Sequence, residues 1–239
     1  MLSYSRTSLF ILVGSCAFLL PTVRAQENCL LQQVFSGRYY GVDAELNDIS
    51  TCVKIDLEDA YVTTPMVKTL SEALAQTAPK LSSLNMKDTK LTDEGVSLLL
   101  NALEHRPSLK SIDFSHNEIT AEGAKKIAEF LKKKGIAIEY LNLAVNSIGD
   151  EGAIAIAKSV HTNGGFMKRL VLRSNKIDME GVKAFAAVME ENKRLVEVNL
   201  KYNKFDKTSL IYINLLNQVE ENKKSQAEKE PLKIPKNGL

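Results

Sequence analysis

Three histidines, His105, His116 and His161, are all this chain has for imidazole acid–base or metal chemistry. They are scattered, and His105 and His161 fall near the ends of helical patterns, where a polar or cationic side chain suits the negative end of the helix dipole. No His-Glu-x-x-His, paired Cys-x-x-Cys, phosphate-loop or Gly-x-Ser-x-Gly pattern occurs. The stretch DAELND, Asp43 to Asp48, begins like a calcium loop. Asp48 stands where that loop needs glycine, however, and Lys54 where it needs the bidentate glutamate, so it reads as a polar capping loop. A second acidic stretch, Gly149-Asp150-Glu151-Gly152, could be a phosphate or metal loop or a helix start, depending on the element that carries it. The expectation is a chain that is not an enzyme, with no catalytic residues, no cofactor and no metal.

The element is set by a repeat. LSSLNMKDTKLTDEG (Leu81 to Gly95), LKSIDFSHNEITAEG (Leu109 to Gly123), IEYLNLAVNSIGDEG (Ile138 to Gly152) and MKRLVLRSNKIDMEG (Met167 to Gly181) share one template. It runs apolar-x-x-apolar-x-apolar-x-x-Asn-x-apolar, followed by a turn and glycine. Weaker copies begin at Cys52 and Leu195, so starts at 52, 81, 109, 138, 167 and 195 are spaced by 29, 28, 29, 29 and 28 residues. This pattern resembles the leucine-rich repeat family, in particular its long, ribonuclease-inhibitor-like subtype. The resemblance implies an α/β fold: a curved solenoid with parallel strands on the concave face and helices on the convex face.

The residues themselves account for such a unit. Leu141 and Leu143 alternate as a short strand with one buried face. The ninth position is polar where the chain bends inward, and an asparagine there can bond backbone groups that the bend leaves unpaired. Asn117, Asn146, Asn175 and Asn203 form this structural ladder; Thr89 and Ala60 replace it near the N-terminus. Thr92, Thr120, Gly149, Asp178 and Asp206 are expected helix N-caps, followed by acids that suit the positive end of the dipole. The acidic stretch at Gly149 is therefore a helix start. Gly95, Gly123, Gly152 and Gly181 are expected to mark close approach of helix to strand.

The N-terminus carries Arg6, an apolar run from Leu9 to Leu20, and small residues Val23 and Ala25. This pattern predicts a signal peptide over residues 1–25 and a secreted or extracytoplasmic protein, periplasmic if bacterial. The run is short for a membrane span. An uncleaved anchor, or a lipoprotein lipidated at Cys16, are the competing readings. Cleavage would remove Arg6 and Arg24, leaving 29 of 31 basic residues against 29 acidic ones. The generic electrostatic case for nucleic acid or an anionic membrane then disappears. An exported chain with Cys29 and Cys52 can form one bridge, stapling a capping segment (26–51) to the repeats. Cys52 also occupies an apolar template position where a free buried cysteine is at home. The repeats span 52–222, with a last helix closing the core through Leu210, Ile213, Leu216 and Val219. Residues 223–239 are dense in charge and read as a disordered tail.

Strand side chains that do not enter the core must face the concave surface. At the third template position these are Lys54, Ser83, Ser111, Tyr140, Arg169 and Glu197, and at the fifth Asp56, Asn85, Asp113, Asn142, Val171 and Asn199. The seventh and eighth positions add Glu58, Lys87, Ser115, Ala144, Arg173 and Lys201, then Asp59, Asp88, His116, Val145, Ser174 and Tyr202. Aromatic and arginine residues among apolar ones are the material of interface hot spots. Tyr140, Asn142, Val145, Arg169, Val171, Arg173, Lys201 and Tyr202 are accordingly the candidate partner-binding residues. The expected function is non-catalytic protein–protein interaction with a protein or peptide, with no nucleic acid and no membrane span after cleavage. Regulation of a secreted enzyme, or a structural envelope role, are the alternatives. The ribonuclease inhibitor itself is rich in cysteine and tryptophan, whereas this chain has three cysteines and no tryptophan.

Overall fold

The computed structural model describes residues 28–30, 34–36, 45–77, 80–162 and 166–229. The expected signal peptide (1–25), parts of the capping segment and residues 230–239 lie outside the described residues. A short strand β1 (Asn28–Leu30) precedes an antiparallel ribbon of β2 (Phe35–Ser36) and β3 (Glu45–Leu46). Six β-α units follow: β4 (Lys54–Asp56), α1 (Thr64–Gln76), β5 (Ser83–Asn85), α2 (Asp93–Leu103), β6 (Ser111–Asp113) and α3 (Ala121–Lys132); then β7 (Tyr140–Asn142), α4 (Gly149–Thr162), β8 (Arg169–Val171), α5 (Met179–Glu191), β9 (Glu197–Asn199) and α6 (Leu210–Lys229). One parallel sheet holds seven strands in the order β1-β4-β5-β6-β7-β8-β9. Each helix packs on the next, so this is the α/β solenoid expected from the repeat.

Each repeat strand is three residues long and buries its middle residue: Ile55, Leu84, Ile112, Leu141, Leu170 and Val198. Two residues on, Leu57, Met86, Phe114, Leu143, Leu172 and Leu200 enter the same core. Burying such side chains stabilises the fold by about 1.5–3 kcal/mol each. The third-position row pairs strand to strand from Lys54 to Glu197 and the fifth-position row from Asp56 to Asn199, without a slip in register. At the eighth position the backbone turns through left-handed geometry in every unit, with φ between 50° and 60° at Asp59, Asp88, His116, Val145, Ser174 and Tyr202.

The asparagine behind each turn bonds across two units. Asn117 Oδ1 accepts from the backbone N–H groups of Thr89 (3.1 Å) and Leu91 (2.9 Å), while Nδ2 donates to the carbonyls of Met86 (2.8 Å) and Phe114 (3.0 Å). Asn146 accepts from Ile119 N–H (3.0 Å) and donates to Phe114 and Leu143 carbonyls (3.0 and 3.1 Å). Asn175 donates to the Leu143 carbonyl (2.7 Å), and Asn203 accepts from Asn175 and Ile177 N–H groups (2.7 and 3.1 Å). Thr89 is a partial substitute: its buried hydroxyl donates to the Met86 carbonyl (2.8 Å) but does not reach a preceding unit.

Helix starts are shared between units in a similar way. Thr92, Thr120 and Asp178 cap their own helices. Asp93 and Asp150, inside the first turns, reach forward to the next unit as well. Asp93 accepts from Thr120 N–H (2.9 Å) and hydroxyl (2.5 Å), and Asp150 accepts from the N–H groups of Asp178 (2.8 Å) and Gly181 (2.9 Å). Two cap assignments need correction. Gly149 is the first residue of α4, with φ 60°, and Asp206 bonds Thr208 in a preceding turn while Ser209 Oγ accepts from Tyr212 N–H (3.4 Å) at the start of α6. The helix glycines also serve a different contact from the one expected. A Cβ at Gly152 would collide with the Ile148 side chain and lie 2.8 Å from Ala124 Cβ; at Gly181 it would lie 2.8 Å from Asp150 Oδ1. The close approach is to the unit's own turn and the preceding helix, not to the strand.

The N-terminal end is closed by a Cys29–Cys52 disulfide, which holds β1 against β4. The C-terminal end departs from expectation. Leu210 is 76 % exposed and Ile213 and Leu216 are 40 % exposed, while Tyr212, Leu215, Val219 and Asn222 form the buried face of α6. Asn222 Nδ2 donates to the carbonyls of Asn192 (2.7 Å) and Leu195 (3.1 Å). The helix continues through residues 223–229, part of the segment expected to be disordered, because Gln226 bonds the Lys193 and Arg194 carbonyls (3.1 and 2.9 Å).

Candidate docking face

The strand rows lay the candidate residues on one side of the sheet, opposite the helices. Chemistry divides that face into two halves. In the N-terminal half, carboxylates alternate with amides at the fifth position, and each amide serves the acid before it. Asp56 accepts from Asn85 Nδ2 (2.9 Å) and Glu58 N–H (3.2 Å); Asp113 accepts from Asn142 Nδ2 (2.8 Å), Ser115 N–H (2.9 Å) and the Ser115 hydroxyl (2.6 Å). Glu58 is ion-paired with Lys87 and accepts from Asn85 Nδ2 (3.2 Å), and these bonds hold its carboxyl below the usual glutamate range. Asp56, Glu58 and Asp113 are thus satisfied within the molecule. Among the described residues no group of three or more His, Cys, Asp or Glu could hold a metal ion.

The C-terminal half is built differently. Arg169 lies over the Tyr140 ring, 4.6 Å from its centroid, from the facing position on the next strand. Arg173 stands 5.7 Å and Lys207 5.4 Å from the centroid of Tyr202, which is 66 % exposed. Val171 and Val145 are half-buried between them, and Lys201 is exposed. Such pairs over aromatic faces contribute about 0.5–1 kcal/mol at exposed sites. Burial pushes the Tyr140 phenol above the usual tyrosine range, with Asp113 adding to the shift and Arg169 opposing it. At neutral pH the ring therefore presents an uncharged hydroxyl beside a guanidinium.

Of the sequence-selected residues, Tyr140, Arg169 and Val171 share adjacent strands, and Arg173, Lys201, Tyr202 and Val145 line the turns just beyond. Asn142 is placed there too, but its side chain is engaged with Asp113 and with Ala144 N–H (3.0 Å). Ser115 and Ala144, assigned by position to the open face, are buried. Lys207 was missed, because it lies past the repeat template in the loop before α6. The Asp-Asn-Asp-Asn alternation at the fifth position could have signalled the side-chain ladder.

A short-stranded parallel sheet with one face covered by helices and the other carrying open side chains defines a repeat-built scaffold protein. Four segments, residues 77–100, 105–128, 138–157 and 166–186, match the family model described as Leucine Rich repeat. These segments of the chain are leucine-rich repeats. Over 66 residues it is 39% identical to the human NACHT, LRR and PYD domains-containing protein 13, a match covering 28% of this chain and 6% of that protein. The chain thus spans a small fraction of that relative's length. Among solved structures, Leiomodin-1 Actin-Binding Site 2 aligns with a TM-score of 0.59 at 20% identity, covering 70% of this chain and 94% of the other. The tropomodulin C-terminal domain of Caenorhabditis elegans aligns with a TM-score of 0.56 at 14% identity, covering 69% and 99%. These likenesses establish the fold. No helix among the described residues is long and apolar enough to cross a membrane.

Proposed function

We propose that this chain is an exported, non-catalytic binding module that docks a protein or peptide on its concave face. The observation that carries the reading is the cluster of Tyr140, Arg169, Val171, Arg173 and Tyr202, in which two arginines of one repeat lie against two partly exposed aromatic rings on the repeats to either side. Rigid aromatic area with arginine at its edge is what concentrates binding energy at interfaces. The strand rows hold these side chains in fixed register, so little ordering remains to be done on binding. A neighbour named for an actin-binding site shows the same fold put to protein binding, which supports the class and not the partner. Export rests on residues 1–25 as a cleaved signal peptide and is favoured by the Cys29–Cys52 bridge, since such bridges persist in oxidising compartments. Affinity capture with the chain, followed by mass spectrometry, identifies a partner. The Tyr140→Ala, Arg169→Ala double variant is then expected to weaken that complex by about 2 kcal/mol or more; unchanged affinity ends the concave-face reading.

A further inference from the structure

We infer that the C-terminal half of the concave face recognises a short, extended segment rich in Asp and Glu on the partner protein. The inference rests on the concave-face reading above and names the chemistry that face accepts. Its basis is an asymmetry in how charges are used. Three acids of the N-terminal half, Asp56, Glu58 and Asp113, are bonded to Lys87, Asn85, Asn142, Ser115 and local backbone. In the C-terminal half, Arg169 and Arg173 meet only the Tyr140 and Tyr202 rings, and among the described residues no carboxylate lies within ion-pair distance of Arg169, Arg173, Lys201 or Lys207. Glu197 faces Arg169 in the strand register yet forms no ion pair with it. Elsewhere the same chain does pair its surface lysines, as at Lys125 with Glu122 and Glu151 and Lys168 with Glu139.

A guanidinium resting on an aromatic ring uses its π face, while its five N–H donors lie in its own plane and suit a carboxylate two at a time. Arg169 and Arg173 belong to one unit and lean to opposite sides, onto Tyr140 of the preceding unit and Tyr202 of the following one, whose strands are two spacings of about 4.8 Å apart. An extended peptide crossing the strands meets both in a few residues, with Val171 between them for an apolar side chain. The basic surface is only as wide as the last three units, borders Asp113 and has Glu197 within it. A long polyanion such as nucleic acid would run from it onto acidic ground, whereas a short acidic segment would not.

The test is selection from a random short-peptide display library on the full chain, with the selected peptides measured by fluorescence anisotropy. Enrichment of Asp- and Glu-rich sequences is expected, with binding weakened about tenfold to a hundredfold by Arg169→Gln with Arg173→Gln and weakened again as salt is raised. Glu58→Gln, in the other half, is expected to leave binding unchanged. Selection of neutral or basic peptides that lose binding with Tyr140→Ala but ignore the two arginine changes would overturn the acidic class and leave the concave-face reading standing. Peptides indifferent to every concave substitution would overturn both. Displacement of the acidic peptide by a single-stranded oligonucleotide of equal charge, at lower concentration than by the unlabelled peptide, would transfer the site to nucleic acid and overturn the proposal.

Discussion

At the scale of the residue, the eighth template position shows how a repeat can contain a strained member. Every unit turns there through positive φ, which Asp and His adopt more readily than most residues, yet the β-branched Val145 does so at φ 56°. A β-branched side chain in the left-handed region costs about 1–2 kcal/mol. Val145→Asn should therefore raise the thermal unfolding midpoint by about 2–4 °C, read by circular dichroism; a lower midpoint would show that the half-buried valine contributes more by packing than its backbone loses. The template made the position legible and its geometry illegible, because Asp59, Asp88, His116, Val145, Ser174 and Tyr202 share no side-chain type from which a φ could be read. The neighbouring asparagines were easier. One polar residue recurring among apolar ones at a bend implies backbone partners, and Asn146 finds them in both its own and the preceding unit.

At the scale of the element, strand placement followed from alternation alone, whereas the last helix was misassigned. Leu210, Ile213, Leu216 and Val219 recur at helical spacing, but spacing does not say which stripe of a helix faces inward. Tyr212, Leu215, Val219 and Asn222 win that place: the Tyr212 ring packs tilted against Phe205 with centroids 4.8 Å apart, and Asn222 fastens the turn between α5 and β9. Two substitutions separate the stripes. Leu215→Ala is expected to destabilise by about 2–4 kcal/mol and Leu216→Gln by less than about 0.5 kcal/mol, measured by urea unfolding. Equal losses would mean that Leu216 is covered in solution. The contacts of Asp93 and Asp150 with the following unit were likewise invisible in one unit's sequence. A carboxylate in a first turn suits its own helix dipole equally well, and only stacking brings the next helix start within 3 Å of it.

At the scale of the molecule, a stack in which each unit touches only its neighbours has ends that are weaker than its middle. The two ends here are closed by different means. The first unit is covalently tied to β1 across a sequence separation of 23 residues, and closing a loop of that length contributes about 3 kcal/mol by restricting the unfolded chain. The last unit has no such covalent tie; beyond its own packing and pairing with β8, Asn222 and Gln226 fasten its helix, and Leu210, Ile213 and Leu216 are left open to water. Amide hydrogen exchange should therefore be slowest in β6 and β7 and fastest in β9 and α6 while the bridge is intact. Reduction, or Cys29→Ser with Cys52→Ser, should accelerate exchange in β1 and β4 by a large factor and leave β9 unchanged. The contrast between the ends is the test. If β9 accelerates as much as β4, stability is cooperative over the whole stack, and the tyrosine–arginine cluster beside β9 owes its rigidity to the distant N-terminal staple. If only β4 responds, that cluster is held by its own repeats, and its affinity for a partner should be the same in reduced and oxidised protein.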